Sequence, residues 1–497
     1  MKLNPIKVIL FLLLCAYASV SLRAQETFIK RYKNTSLPEG SVAVANLPDK
    51  KIAVIGQQSN GFIWQSPMVI ITDSAGNQLR HFVDTSCFGC LVYDGTTDNE
   101  GFIYVVGHFY GKAGIAKYDT SGNKIWQKTY NPFGLTSTFN CLDVINDSML
   151  VAGGSEATDI DGGSAILVMF NANGDTIWSK YYPYSFETGI NAIKSDYGKI
   201  YATGVISYLT QPQQRLFFTT VDTDGGNSYH YEINNGRKMG YGIVPLSPDS
   251  ILIGGVAYNM YLKNFSFCTL VDSIGNELYT IQDSNYLFTN IAKIEWDSQL
   301  QILYTVSFDT VYNLGTPSPL PKISSYSLPL INLQQPVWEK TVYGTSITTA
   351  GGLALANDGT ILHSGYASNN YCPYLLKADE NTCADLACDT AFVSGLFLPD
   401  EENTPKVNLT LKLFPNPVVG EYLYFELHSD QPIKSISTSC TDVAGKVVTL
   451  VPEGEFIGKE LYRGRIAIPA GLPQGIYLFR VSADQKYVLK GKFTKAD

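Results

Sequence analysis

The first clue to the architecture is GIAKYDTSGNKIWQKTY (114–130), in which an apolar segment runs into Asp119, Gly122 follows three residues later, and Trp126 four residues after that. The pattern recurs in MVIITDSAGNQLRHF (68–82), ILVMFNANGDTIWSKYY (166–182), FFTTVDTDGGNSYHYEI (217–233) and FCTLVDSIGNELYTIQ (267–282). The recurring glycines are Gly76, Gly122, Gly174, Gly225 and Gly275, spaced 46, 52, 51 and 50 residues apart. Asp or Asn at a turn start and Gly at a position of positive φ are typical of a tight hairpin. The pattern therefore predicts a repeated β-hairpin.

A second recurring segment precedes each hairpin. It is a short apolar strand, as in GFIYVVGHF (101–109), SMLVAGGS (148–155) and GKIYATGVI (198–206), and a weaker strand such as SVAVANLPD (41–49) comes before it. Each unit thus has four strands, and about seven units fit between residues 27 and 380. Evenly spaced four-stranded units predict an all-β chain whose residues 25–380 form a seven-bladed β-propeller. Trp126, Trp178 and Trp338 are expected to pack between blades.

The two ends of the repeat region complement each other. FIKRYKN (28–34) resembles the last strand of a unit but stands alone, whereas the seventh unit has three strands and no fourth. We therefore expect residues 28–33 to pair with the strand around 374–377 and to cover an edge that would otherwise invite aggregation. The sixth unit is expected to be degenerate, with the Pro-rich TPSPLPK (316–322) replacing a tight connection.

Targeting and charge restrict the environment and the partners. Lys2 and Lys7 precede an apolar stretch, which predicts a signal peptide over residues 1–24 with cleavage after Ala24. No other apolar run is long enough to span a bilayer, so no transmembrane segment is expected in the mature chain. The net charge of the whole chain is −9. Residues 25–404 carry −15, whereas residues 1–24 and residues 405–497 carry +3 each. So acidic a body disfavours nucleic acid as a partner.

Eight cysteines remain after removal of the signal peptide, and export to an oxidising compartment makes disulfide pairing plausible. Cys87 and Cys90 form a CxxC without a nearby helix start or second ligand pair, so a short structural disulfide is favoured over a redox or zinc site. Cys383 and Cys388 are a further disulfide candidate in a linker over residues 381–406. Cys141 and Cys268 lie in apolar strand patterns and are expected to be buried thiols.

Residues 407–497 have a different pattern. LKLFPNPVVGEYLYFELHS (411–429), CTDVAGKVVTL (440–450) and IPAGLPQGIYLFRVSADQKYVLKGKFTK (468–495) are alternating strands with Gly and Pro turns, which predicts a small C-terminal β-sandwich. These segments resemble the C-terminal sorting domain of cargo exported by the type IX secretion system of Bacteroidetes. The matching residues are Phe414, Pro415, Asn416, Pro417, Gly445, Lys446, Gly475, Tyr477, Lys492 and Lys495.

The resemblance implies a partner, a route and a destination. The partner is the type IX secretion machinery, which would carry the folded protein across the outer membrane after Sec export. The sorting domain would then be removed. The mature protein would be released or attached at the cell surface.

No constellation of catalytic residues is recognisable in the sequence. The histidines lack an HExxH neighbour, and no GxSxG elbow is present. His108 and His363 follow equivalent strands and could point to one face, but structural roles are favoured. Asp159, Asp161, Asp222 and Asp224 lie on glycine turns that could hold calcium, although ordinary turn chemistry is favoured. We predict no catalytic residue, cofactor or metal site.

Two functions remain open. The favoured one is a secreted or surface-displayed propeller that binds a polysaccharide or a protein through the loops at one ring face. The alternative is a propeller enzyme, a hydrolase, a lyase or a quinoprotein-like protein, with a site assembled from scattered loops. Carboxylates clustered in the central channel would favour the enzyme, whereas an uncharged aromatic face would favour binding.

Overall fold

The computed structural model describes most of the chain. The described residues are 27–35, 37–59, 65–132, 136–158, 162–183, 187–208, 211–233, 236–258, 264–282, 290–313, 316–328, 333, 335–342, 351–367, 372–380, 382, 393–394, 409–415, 418, 421–429, 435–442, 447–450, 452–457, 461–469, 473–483 and 487–495. The predicted signal peptide, Cys383 and Cys388 lie outside them. The chain divides into two compact units, Met1–Ser394 and Gly395–Asp497.

Strands and turns make up the first unit, with one short 3₁₀ helix, Pro48–Lys50, in its described part. The strands are β1 (Phe28–Lys33), β2 (Glu39–Asn46), β3 (Ile52–Ser59), β4 (Gln65–Thr72), β5 (Gln78–Val83), β6 (Cys90–Thr97), β7 (Ile103–Phe109), β8 (Lys112–Tyr118), β9 (Lys124–Tyr130), β10 (Ser137–Asn146), β11 (Met149–Thr158), β12 (Gly162–Asn171), β13 (Thr176–Pro183), β14 (Glu187–Asp196), β15 (Lys199–Tyr208), β16 (Gln211–Asp222), β17 (Ser228–Ile233), β18 (Arg237–Ser247), β19 (Ser250–Tyr258), β20 (Asn264–Val271), β21 (Glu277–Gln282), β22 (Ile291–Asp297), β23 (Ile302–Asn313), β24 (Thr316–Ser327), β25 (Trp338–Thr341), β26 (Leu353–Leu355), β27 (Ile361–Ala367), β28 (Cys372–Ala378) and β29 (Val393–Ser394).

These strands form antiparallel sheets in which neighbours in sequence are neighbours in space. Six described sheets have four strands each and run β2–β5, β6–β9, β10–β13, β14–β17, β18–β21 and β22–β25. The remaining sheet of this unit has the order β26-β27-β28-β1-β29. The first strand of each sheet contacts the next sheet, from β2 and β6 through β22 and β26, and β26 and β27 contact β2. Repeated four-stranded meanders packed face to face are the architecture of a β-propeller.

The pairing predicted for the N-terminal strand is confirmed. β1 is antiparallel to β28, with Phe28 opposite Lys377 and Arg31 opposite Tyr374. β29, which lies inside the predicted linker, pairs with the other edge of β1 in parallel, with Tyr32 opposite Val393. The N-terminal strand is therefore held on both edges.

The hairpins that begin at Asp73, Asp119, Asn171 and Asp272 share one turn geometry, whereas the hairpin at Asp222 is one residue longer. Within 73–77, the Asp73 carboxylate accepts hydrogen bonds from the backbone N–H of Ala75 at 3.0 Å and of Asn77 at 2.7 Å. The N–H of Gly76 donates to the Asp73 carbonyl at 3.0 Å. Gly76 has φ of 73°, a region that favours glycine. The corresponding Gly122, Gly174, Gly225 and Gly275 also have positive φ, between 75° and 89°.

An aromatic side chain from one sheet covers the hairpin glycine of the next. The pairs are Phe28 with Gly76, Phe82 with Gly122, Trp126 with Gly174, Trp178 with Gly225, and Tyr231 with Gly275. A Cβ on Gly174 would lie 2.9 Å from the Trp126 ring, so only glycine leaves room. The Trp126 indole N–H also donates to the Ala172 carbonyl at 2.9 Å. The predicted packing of Trp126 and Trp178 between sheets is confirmed.

The prediction for the sixth unit is wrong. Residues 316–322 form no loop but begin β24, a strand antiparallel to β23 over its whole length. Pro317, Pro319 and Pro321 alternate, so their missing N–H groups all face one edge of the strand. The pairing of β24 with β25 starts only at Lys322. Alternating prolines are therefore compatible with a strand here.

The described part of the second unit contains two four-stranded sheets. Its strands are β30 (Leu409–Phe414), β31 (Tyr422–Ser429), β32 (Ile436–Asp442), β33 (Val447–Leu450), β34 (Glu453–Ile457), β35 (Leu461–Ala467), β36 (Gly475–Ala483) and β37 (Tyr487–Lys495). The sheet orders are β30-β31-β35-β34 and β33-β32-β36-β37. Phe425 of the first sheet packs on Phe479 of the second, with ring centroids 5.4 Å apart. The two sheets thus share one hydrophobic core.

Candidate functional site

The first strands of the propeller sheets carry a repeated β-bulge. In six of these strands, a residue at the equivalent position has no opposite partner in the register: Val42, Tyr93, Asn140, Asn191, Tyr241 and Ala292. A bulge bends its strand and re-aims a side chain. The Asn140 and Asn191 amides donate to carbonyls of the following sheets, Ile190 and Gly240, both at 3.1 Å. The bulged residues thus form hydrogen bonds between neighbouring sheets at two positions. The bulged residue Tyr93 is 42% exposed.

A glycine of the second strand accompanies most bulges. Gly56, Gly107, Gly154, Gly204 and Gly255 each lie opposite the residue that precedes a bulge. A Cβ on Gly154 would lie 1.9 Å from the Thr138 carbonyl oxygen, so no larger residue fits without movement. Sequence reasoning missed the bulges. Glycine inside an apolar strand was the signal that could have revealed them.

A central cavity of about 540 Å³ is lined by the first strand of each propeller sheet. The lining includes residues 43–46 of β2, 94–97 of β6, 141–143 of β10, 192–194 of β14, 241–243 of β18, 293–296 of β22 and 353–355 of β26. The charged side chains on these segments are three carboxylates, Asp94, Asp143 and Glu295, and two ammonium groups, Lys194 and Lys293. Residues far apart in sequence thus share one polar space.

Ion pairs join distant sheets in this cavity. Lys293 of β22 lies 3.4 Å from Asp94 of β6, which is 199 residues away in sequence. Lys194 of β14 lies 3.6 Å from Glu295 of β22. Attraction to Glu295 raises the pKa of Lys194 and keeps it protonated. Each ammonium group therefore has a carboxylate partner in another sheet.

Asp143 is the third carboxylate on these strand segments. It accepts hydrogen bonds from the backbone N–H of Ser195 at 2.6 Å and from the Ser195 hydroxyl at 2.5 Å. Burial raises the pKa of Asp143, although Lys194 and Ser195 oppose the shift. The cavity is therefore neither an unpaired carboxylate cluster nor an uncharged aromatic face.

A second concave surface lies where the sheets β6–β9, β10–β13 and β14–β17 meet. We call it the Tyr93 groove; it encloses about 440 Å³ and is lined by Leu91, Tyr93, His108, Thr136, Ser137, Thr138, Ser155, Glu156, Ala157, Gly163 and Thr188. Glu156 and Thr188 are 1% and 2% exposed. Nδ1 of His108 lies 3.0 Å from the Ser137 carbonyl oxygen, which fixes the imidazole.

The two histidines compared in the sequence have different surroundings. His363 is fully buried, with Nδ1 2.8 Å from the Gly352 carbonyl and Nε2 2.8 Å from the Tyr374 hydroxyl. His108 instead lines the Tyr93 groove. The structure therefore does not bring the two together in one site.

The candidate metal and disulfide residues can be placed in part. Cys87 and Cys90 form a disulfide with their Cα atoms 5.6 Å apart, and Cys141 and Cys268 are buried thiols. Asp222 and Asp224 accept hydrogen bonds from Asn227 and from the Gly226 N–H, as turn residues do. Asp159 and Asp161 lie outside the described residues. In the described ranges, no group of three or more His, Cys, Asp or Glu side chains is arranged to hold a metal ion.

The residues that resemble a sorting motif lie in the second unit. Phe414 ends β30 and stacks on Tyr424, and Pro415 follows it. Asn416, Pro417, Gly445 and Lys446 lie outside the described residues.

The other motif residues lie on the pair β36 and β37. Gly475 and Lys495 are opposite each other, and Lys492 is opposite Leu478. Tyr477 is buried, and its hydroxyl donates to the Pro473 carbonyl at 2.6 Å. Tyr477 therefore anchors the turn that precedes its strand.

Comparison with known proteins gives structural similarities at low sequence identity. No family model and no curated protein sequence matches the chain. An acylaminoacyl peptidase from Pyrococcus horikoshii aligns over 80% of this chain and 59% of its own length, at 9% identity and a TM-score of 0.43. Polysaccharide lyase Uly1 aligns over 69% and 90%, at 9% identity and a TM-score of 0.47. The β-propeller domain of the Trilobed protease from Pyrococcus furiosus aligns over 73% and 98%, at 9% identity and a TM-score of 0.42.

The chain thus spans about three-fifths of the length of the peptidase. At these identities and TM-scores, no substrate or residue role is transferred to it. Among the described residues, no helix is long and apolar enough to cross a membrane.

Proposed function

We propose that the protein is an exported binding protein whose residues 25–380 form a closed seven-bladed propeller. The pairing of β1 with β28 and the succession of contacts from β2 round to β26 and back support ring closure. A closed ring leaves no propeller sheet with an unpacked face. It also brings the loops of several sheets together at each end of the ring.

The second unit is the export signal in this proposal. Its two sheets around a shared core fit a β-sandwich over residues 407–497, and the sequence of this region resembles type IX sorting domains. A signal peptide over residues 1–24 would direct Sec export first. The protein would then be secreted or displayed on the outer-membrane surface.

Binding rests on the Tyr93 groove. It is a concave surface to which three sheets contribute side chains, and its 440 Å³ lies within the roughly 300–1,000 Å³ of small-ligand sites. The ligand is a polysaccharide or a protein.

The test is to apply the purified full chain to glycan and peptide arrays and to follow any bound ligand by mass spectrometry. We expect reversible binding with the ligand recovered intact. Cleavage or modification of the bound ligand would overturn the binding function.

One observation favours the alternative, an enzyme with its site in the central cavity. Asp143 is partly buried there with a raised pKa, and shifted carboxyl groups are common in active sites. In that case Asp143→Asn should abolish turnover of a substrate while the unfolding midpoint changes little. Asparagine is nearly isosteric with aspartate, and its side-chain oxygen can still accept a hydrogen bond from Ser195.

A further inference from the structure

The chemistry of the Tyr93 groove points to one class of ligand. On the premise of the binding function above, we infer that the groove binds a neutral saccharide, with the Tyr93 ring as the apolar platform. Three features of the lining favour such a ligand: its charge, its hydroxyl groups and its exposed ring.

The groove offers no cation. None of its described lining residues is Lys or Arg, and Glu156 places a buried carboxylate in the wall. A phosphate or carboxylate ligand would have to give up its hydration without gaining an opposite charge, which costs free energy. A neutral ligand avoids this cost.

Hydroxyl groups dominate the polar part of the groove. Ser137 is committed, since its hydroxyl donates to the Tyr130 carbonyl and accepts from the Ala113 N–H. Thr188 is different: it is 2% exposed, and its hydroxyl has no hydrogen-bond partner in the part of the chain that the structure describes. A buried hydroxyl without a partner costs free energy, which a ligand hydroxyl could recover.

Tyr93 supplies the apolar surface. It is the bulged residue of β6 and keeps 42% of its surface exposed, whereas Val92 beside it is fully buried. A pyranose ring has an apolar face of C–H groups and a rim of hydroxyls. The flat tyrosine ring can cover the apolar face. His108 and Thr188 lie in the same groove, where they can form hydrogen bonds with the hydroxyl groups of the rim.

The test measures binding of the full chain by isothermal titration calorimetry. The probes are cellohexaose, xylohexaose, mannohexaose and maltohexaose, with trigalacturonic acid as the anionic comparison. We expect at least one neutral hexasaccharide to bind and trigalacturonic acid to bind more weakly. Tyr93→Ala should weaken binding at least about tenfold, and Tyr93→Phe should retain most of it.

Two further variants separate the groove from general effects. Tyr110→Ala is the matched control, because Tyr110 is 52% exposed but does not line the groove. It should leave affinity unchanged. Thr188→Val should weaken binding several-fold while the unfolding midpoint stays equal or rises, because the variant removes a buried hydroxyl without a partner.

Three results would overturn the inference. They are failure of all four neutral hexasaccharides to bind, tighter binding of trigalacturonic acid, and neutral-sugar binding that Tyr93→Ala leaves intact. If the arrays meanwhile detect reversible binding of a peptide, the saccharide inference fails but the binding function stands. If a saccharide is cleaved, the binding function fails.

Discussion

The Tyr374 hydroxyl lies 2.8 Å from Nε2 of His363, inside the sheet that the N-terminal strand completes. Nδ1 of the same imidazole lies 2.8 Å from the Gly352 carbonyl oxygen. A neutral imidazole that donates from Nδ1 and accepts at Nε2 satisfies both contacts. Since both side chains are fully buried, a charge on the ring would have no water to solvate it.

The first prediction concerns pH. Burial lowers the pKa of His363 from 6.5 to about 4. Above pH 6.5, His363 is neutral in both the folded and the unfolded chain, so its protonation does not lower the unfolding free energy there. As the pH falls from about 6.5 to about 4, only the unfolded chain takes up the proton, and about 3 kcal/mol of unfolding free energy is lost.

Urea unfolding at pH values from 4 to 8 measures this loss, with His363→Gln as the comparison. The wild type should lose more stability than the variant over this range. Tyr374→Phe keeps the titrating ring but removes its hydrogen-bond donor, and should cost about 1–3 kcal/mol. Identical pH dependence in wild type and His363→Gln would show that His363 does not titrate in this way.

The second prediction concerns the aromatic–glycine contacts between sheets. Trp126→Ala should lower the unfolding free energy by about 2–3 kcal/mol, because the ring packs on the next sheet and is only partly exposed. Gly174→Ala should cost about 1–3 kcal/mol, because φ is 76° and the new Cβ meets the same ring.

Denaturant unfolding is the measurement, and Ile125→Ala is the control from the same strand. Ile125 is 50% exposed, so its replacement should cost less than about 1 kcal/mol. If Trp126→Ala were no worse than Ile125→Ala, the contact would not stabilise the packing of the sheets.

The third prediction concerns the N-terminal strand. Deleting residues 25–34 should leave the β28 edge unpaired and remove the fully buried Tyr32 side chain, so the protein should aggregate. Light scattering after size-exclusion chromatography measures this. Adding a peptide of residues 25–35 should restore the monodisperse state by strand addition, whereas a scrambled peptide should not. A soluble, monodisperse deletion variant would contradict the closing role of β1.

Much of the fold could be predicted from the sequence, because the hairpin pattern is local. Asp73 and Gly76 define their turn by hydrogen bonds within five residues, so the signal lies in one short segment. The functional surfaces could not be predicted in this way. Asp94 and Lys293 come together only because their two sheets line the same cavity, and neither sequence segment contains a feature that predicts the other.

The Tyr93 groove was missed for a similar reason. Its lining comes from three sheets. The exposed Tyr93 ring depends on a β-bulge, and the sequence at Tyr93 itself does not indicate that bulge. The glycine opposite the preceding residue, Gly107, was visible in the sequence. Its recurrence in the second strand of other units was the sign of a bulge at each equivalent position.

The last prediction concerns the tail. The N-terminal strand completes the last propeller sheet without any residue of the second unit, so the propeller should fold when residues 403–497 are removed. A chain ending at Glu402 should therefore accumulate in the periplasm as a folded, protease-resistant species, while the full chain reaches the cell surface and loses its tail. Fusing residues 405–497 to an unrelated Sec-exported protein should carry that protein outward in a host with type IX secretion, but not in a mutant lacking the system. Cell fractionation and surface proteolysis measure both outcomes. Surface appearance of the truncated chain at the wild-type level would show that the tail is an accessory domain, because export would then not depend on it.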